Sequence, residues 1–220
     1  MTRPQYISAV KAKLEEISPF DPIGEHTEFI AADDSEKNVI KPIQSYIESE
    51  LDRAARYCLL TLPLSLLALD VTKLSTTASV DDKGVGIVSN KSKYLRLVRV
   101  HDDGGVWKRD VTAFMASTNP LYLLQQNIFT RGGIAKPVVV YNPEEKQIEL
   151  YSFPKELRGE EENVTLYYID ADVVAESVLS GISEYIILVC AMYVAEILQD
   201  TNRATTLQEE FQQKVAAIVE

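Results

Sequence analysis

Three stretches carry residue types that do chemistry in other settings. His101-Asp102-Asp103 sets an imidazole beside two carboxylates, the groups needed for metal ligation or for a general base with its orienting carboxylate. Gly104-Gly105 follows at once, and adjacent ligands without a second His or Cys cluster do not specify a metal, so the simplest reading is a hairpin tip. The other histidine, His26, has no partner near it in sequence. Gly84-Val85-Gly86 lacks the third glycine and the strand-then-helix setting of a dinucleotide site. Arg131-Gly132-Gly133 runs on to Lys136-Pro137 rather than to a Lys-Ser/Thr pair opening a helix, so neither loop is built to cradle phosphate. No serine stands in a nucleophile elbow. The chain is therefore expected not to be an enzyme, and to take no cofactor and no metal.

Charge is the stronger signal. The net charge of −11 is unevenly spread: residues 1–82 hold 8 basic and 14 acidic side chains, residues 83–159 hold 12 and 7, and residues 160–220 hold 2 and 12. Lys83, Lys91, Lys93, Arg96, Arg99, Lys108 and Arg109 stand together, with Tyr94 and Trp107 interleaved. Two readings are open for this basic stretch. It contacts a polyanion such as nucleic acid, or it pairs with the acidic helices within a subunit or between subunits.

The elements that must position these groups follow from periodicity. Pro4 opens a helix with Tyr6, Ile7, Val10, Leu14 and Ile17 on one side, stopped by Ser18-Pro19. Pro42 opens a second, with Ile43, Tyr46, Ile47, Leu51, Ala54, Ala55, Cys58 and Leu62 on a broad apolar face, ended or kinked by Pro63. Thr72–Ser79 is rich in Ser and Thr without periodicity and reads as a connection. Strands are expected at 86–88, 94–100, 106–111, 137–141, 147–151 and 164–169, with the fourth and fifth joined as a hairpin through Asn142-Pro143-Glu144-Glu145-Lys146. The segment 112–130 between the hairpins is expected to be partly helical, and Gly159-Glu160-Glu161-Glu162 to be a solvated turn. Either Asp170 or Asp172 suits a helix cap, while Gly181 before Ser183 marks an interruption or a second helix start. Between Ile182 and Leu198 two apolar rows make a helix buried on most sides, and a last helix carries the narrower row Ala204, Leu207, Phe211, Val215 and Ile218. The expected class is α+β: a small mixed or antiparallel β-sheet with N-terminal helices and a C-terminal antiparallel helical hairpin.

Cys58 and Cys190 lie in apolar helical patterns and read as buried free thiols. Met1–Tyr6 lacks the apolar core of a secretory signal, so no leader is expected. The longest apolar runs, Tyr57–Leu69 and Tyr185–Ala195, fall short of the roughly 20 residues that span a bilayer, so no membrane segment is expected.

Three stretches resemble a known family. They are Ile43–Glu48 through Ala54-Ala55-Arg56-Tyr57 to Leu62-Pro63-Leu64-Ser65-Leu66-Leu67; Pro120-Leu121-Tyr122 through Gln125-Gln126-Asn127 and Thr130-Arg131-Gly132 to Lys136-Pro137-Val138-Val139 and Leu150-Tyr151; and Ala191–Leu198 continuing to Leu207–Phe211. In these the chain is similar to tailed-bacteriophage neck or collar ring proteins, the head-to-tail connectors, especially those of crAss-like phages. The resemblance covers about half the chain and lies in pattern rather than in one defining motif. It implies a single connector-type domain over 1–220, with a helical part at 1–70, a β-rich part at 84–169 and the hairpin at 172–220. It also implies a virion structural protein, assembled in the host cytoplasm into a homo-oligomeric ring at the head-to-tail junction. Its partners would be the portal and other neck or tail proteins, with genomic DNA passing through the channel. The alternative is a nucleic-acid-binding accessory protein using residues 83–109. For the loop Thr130-Arg131-Gly132-Gly133, which has no catalytic company, the expected role is assembly: Arg131, Gly132, Gly133 and Lys136 would dock on an acidic neighbour. Lys91, Lys93, Arg96, Arg99, Lys108 and Arg109 would meet a polyanion or another subunit.

Overall fold

A computed structural model describes residues 1–17, 42–89, 94–127, 129–142 and 147–219. The chain divides into two compact units, one made of Met1–Asp70 with Asp172–Glu220 and the other of Val71–Ala171.

Among the described residues of the first unit, four α-helices form at the expected places: α1 (Arg3–Ile17), α2 (Ile43–Thr61), α4 (Ser183–Ile197) and α5 (Thr201–Val219), while α3 (Tyr122–Gln126) lies in the other unit. The prolines act as their chemistry requires. Pro42 precedes the first residue of α2, and α2 stops two residues short of Pro63, which has no N–H to continue the ladder. Of the two readings open at Gly181, the helix start is the one found, since α4 begins at Ser183; neither Asp170 nor Asp172 caps it. Its two apolar rows are buried through Ile186, Val189 and Tyr193 on one and Cys190, Ala191 and Val194 on the other. The hairpin of α4 and α5 forms as expected, and its apolar surface is covered by α1 and α2.

Ion pairs tie this bundle at its polar rim. Arg3 reaches Asp52 on α2 at 2.8 Å and Glu176, in the approach to α4, at 2.7 Å, while Lys13 reaches Glu210 at 3.0 Å. Cys58 and Cys190 are free and fully buried; burial pushes both thiols upward, that of Cys190 to about 12.

Among its described residues, the second unit is a mixed sheet of seven strands, larger than the small sheet expected. The strands are β1 (Thr72–Val80), β2 (Val85–Ser89), β3 (Tyr94–Asp102), β4 (Phe114–Ala116), β5 (Val138–Asn142), β6 (Gln147–Tyr151) and β7 (Glu161–Asp170), in the order β3-β7-β1-β2-β6-β5-β4. Among the described strands, only the β4–β5 pair is parallel. Three sequence expectations are corrected. Thr72–Ser79 is not a connection but most of a central strand, paired with β7 from Thr72↔Tyr168 to Ser79↔Glu161. β-Branched threonines suit a pleated strand even where no apolar alternation announces one. Glu161 and Glu162, expected in a turn, open β7. The segment 106–111 is not a strand: it touches β3 through a single bridge, Val100↔Val111, and folds over the sheet instead.

Trp107 explains that departure. It is 7% exposed, stacks on Phe153 at 5.4 Å, and belongs to the core formed by Val88, Val100, Ile148, Leu150, Val164 and Leu166. Asp102, 4% exposed, holds the loop by accepting the backbone N–H of Trp107 at 2.8 Å and that of Gly104 at 3.1 Å. Burying an indole outweighs completing a strand ladder.

β3 and β4 are the two edges of the sheet, yet Tyr94 and Leu97 on one and Phe114 and Met115 on the other line the same apolar cleft of about 270 Å³. The sheet therefore curls until its edges approach. Tyr94, packed against the Tyr168 ring at 4.6 Å, has its phenol pushed from near 10.0 to about 12 by burial. The native state holds this proton where the unfolded chain has released it. Stability is therefore expected to stay level below pH 10 and to fall as pH rises from there through about 12. Denaturant midpoints measured across that range should show a shallower fall in Tyr94→Phe than in the wild type.

Candidate docking loop

The stretch between β4 and β5 carries both the expected assembly loop and a short helix, α3 (Tyr122–Gln126). α3 is inside out. Its polar and amphipathic residues face the sheet: the Tyr122 hydroxyl donates to both carboxylate oxygens of Glu149 at 3.0 Å, and buried Gln125 accepts the Gly132 N–H through Oε1 at 3.0 Å. Its leucines face away. Leu121 is 53% exposed, Leu123 70% and Leu124 46%, and beyond the helix Phe129 is 93% and Ile134 41% exposed. Five large apolar side chains thus stand in solvent within one loop, where an ordinary surface helix would turn them inward.

The anchor beneath is polar and specific. Glu149 points from β6 to the sheet face opposite the main core, 8% exposed, and accepts the Tyr151 hydroxyl at 2.6 Å as well as that of Tyr122. Burial, reinforced by the bond to Glu149, drives the Tyr151 phenol well above its ordinary range. Val85, Val140 and Tyr151 form a small second core on that face, against which Met115, Tyr122 and Val138 pack. The Ser152 hydroxyl donates to the Gly132 carbonyl. Gly132 lies so close to the following strand that a Cβ there would sit 2.6 Å from the Lys136 carbonyl oxygen and 2.7 Å from Val138 Cγ2.

The four residues expected to dock are not equivalent. Gly132 is a packing residue. Gly133 is exposed with open space around it and closes a tight turn, its carbonyl accepting the Lys136 N–H at 2.7 Å. Lys136 is exposed. Arg131 is half-buried and lines, with Lys83, Gln126, Gln147 and Glu149, a polar cleft of about 270 Å³ beside the loop. Among the described residues no ion pair engages Arg131, Lys83 or Lys136. Lys136 stands in solvent, whereas Arg131 and Lys83 share their cleft with the carboxylates of Glu149 and Asp81.

The basic stretch is divided. Lys91 and Lys93 lie outside the described residues. Arg99 is committed to Asp110 at 3.3 Å and stacks over the Tyr167 ring at 3.8 Å. Arg96 is half-buried, and that burial lowers its affinity for the proton. Lys108 and Arg109 are exposed, and the Lys108 N–H donates to the Ile134 carbonyl at 3.0 Å, which brings this pair to the flank of the 121–136 loop. Trp107, buried, offers no face to a base. His101 is 2.7 Å from Asp110 through Nδ1, while Asp103 is engaged by the Thr165 hydroxyl at 2.8 Å. Among the described residues, no three His, Cys, Asp or Glu groups converge to hold a metal ion, and no helix is long and apolar enough to cross a membrane. His26 lies outside the described residues.

The outward leucines and the Glu149 tether were not foreseen in the sequence. One signal was present: between Asp110 and Glu144 the chain has no acidic residue, although 33 of its 220 residues are acidic. Against known proteins, the chain matches no family model and no curated sequence.

Proposed function

We propose that this protein is a ring-forming structural subunit of a phage head-to-tail connector, joining portal and tail around the DNA channel of the virion. The observation that carries the reading is the apolar loop on a polar anchor. Exposing five large apolar side chains is unfavourable in a monomer and is relieved by assembly. Charge supports it. The helical unit holds 9 basic and 20 acidic residues, net −11, whereas the β unit holds 13 of each. Subunits of this kind can meet acidic surface to cationic loop. The resemblance supplies the setting, and the work of such a protein is scaffolding rather than catalysis. The nucleic-acid reading receives less support, because Arg99 is engaged by Asp110 and Tyr167.

The variant Arg131→Glu tests the assembly role. It is expected to weaken self-association or incorporation into particles by about tenfold or more, as a reversed charge at an interface costs more than a kcal/mol, while the chain still unfolds cooperatively from a folded state. Sedimentation and particle composition measure the first, chemical denaturation the second. Normal assembly by this variant would leave the loop a turn, and absence of the protein from purified virions would sink the connector reading.

A further inference from the structure

The outward loop has a counterpart on the helical unit. Leu69 is 69% exposed and Leu179 is 70% exposed, although they are far apart in sequence. Asp70 brings them together, its carboxylate accepting the Leu179 N–H at 2.7 Å and the Ser180 N–H at 3.2 Å. Two exposed leucines thus stand on adjoining backbone with a carboxylate between them, on the unit that carries the whole of the net charge of −11. The docking loop is their complement: apolar at Leu123, Leu124 and Phe129, cationic at Arg131 and Lys136, and without an acid.

We propose that the 121–136 loop of one copy seats on the Leu69–Leu179 pair of the next copy. This rests on the connector reading and names the contact within it. Like-with-like pairing would set Arg131 and Lys136 against themselves, or the acidic unit against itself, and is disfavoured electrostatically. Two different patches that fit each other make a head-to-tail contact, which repeats from copy to copy and closes into a ring when the rotation allows. The second copy is thus the occupant that both the apolar surface and the charge select.

Cysteine pairing tests the contact directly, because Cys58 and Cys190 are fully buried and contribute little background. In the full-length chain, Phe129→Cys combined with Leu179→Cys is oxidised at the highest concentration at which the protein stays soluble, and run on a non-reducing denaturing gel. The expected result is a ladder of multimers that collapses to monomer on reduction, and that is lost when Leu123→Ser is added. Each single cysteine variant should remain largely monomeric. Efficient dimers from Phe129→Cys alone would show loop meeting loop and overturn the proposal. So would monomer alone from the double variant, or a monomer internally cross-linked. The outcomes separate from those of the connector reading: a protein present in particles that gives no ladder keeps the reading and loses this contact, and a ladder-forming protein absent from particles does the reverse.

Discussion

Glu149→Ala is expected to destabilise the β unit by about 3 kcal/mol and to release the 121–136 loop from it. The variant leaves the Tyr151 hydroxyl, and part of the time the Tyr122 hydroxyl, without an acceptor on a face where water is largely excluded. Each orphaned buried donor costs about 1–3 kcal/mol. An opposing effect is that a partly desolvated carboxylate is itself unfavourable. That effect is small here, because Glu149 lines the cleft that also holds Lys83 and Arg131 and has two phenol donors. The lost bonds win. Glu149→Gln keeps one acceptor and should cost roughly half as much. Denaturant unfolding measures the energy, and hydrogen exchange over 121–136 measures the release. If the loop stays protected in Glu149→Ala, then Tyr122 is not its tether.

The second large effect is expected at Gly132. In Gly132→Val the added carbons meet the Lys136 carbonyl and the Val138 side chain at separations that real Cβ atoms do not adopt, and neither neighbour is the free end of a long side chain. Overpacking of this kind costs about 1–3 kcal/mol, and here it must also push the chain away from the Gln125 and Ser152 bonds. Both stability and assembly should fall. Gly133→Ala is the control: nothing lies near a Cβ at that position, so it should match the wild type in both measurements. Equal losses at the two glycines would mean that backbone freedom, rather than packing against Val138, is what the loop requires.

How far the sequence could be read depends on the range of the interactions involved. α1, α2, α4 and α5 are announced by rows of apolar residues at helical spacing and by the prolines at their ends, because the groups that decide them lie within a few turns of one another. The hairpin of β5 and β6 is local in the same sense. β1 was not legible, since its Ser and Thr residues become a strand only through pairing with β7, about ninety residues away. The 106–111 segment failed as a strand because the Trp107 ring found Phe153 and its backbone N–H found the Asp102 carboxylate, contacts that no alternation pattern encodes.

The 121–136 loop shows the division most clearly. Sequence by itself determined its ingredients: Arg131 and Lys136 in a stretch without acids, two glycines, three leucines and a phenylalanine, all with no catalytic neighbours. It determined the acidic character of the helices in the same way, because charge is a sum over residues. Only the tertiary structure decided which side of α3 faces water. That choice is made by Glu149 and Gly132, which capture Tyr122 and Gln125 and leave Leu121, Leu123 and Leu124 outside. A five-residue helix has too few positions to declare a buried face through its own periodicity, so the partners it meets across the fold declare it instead.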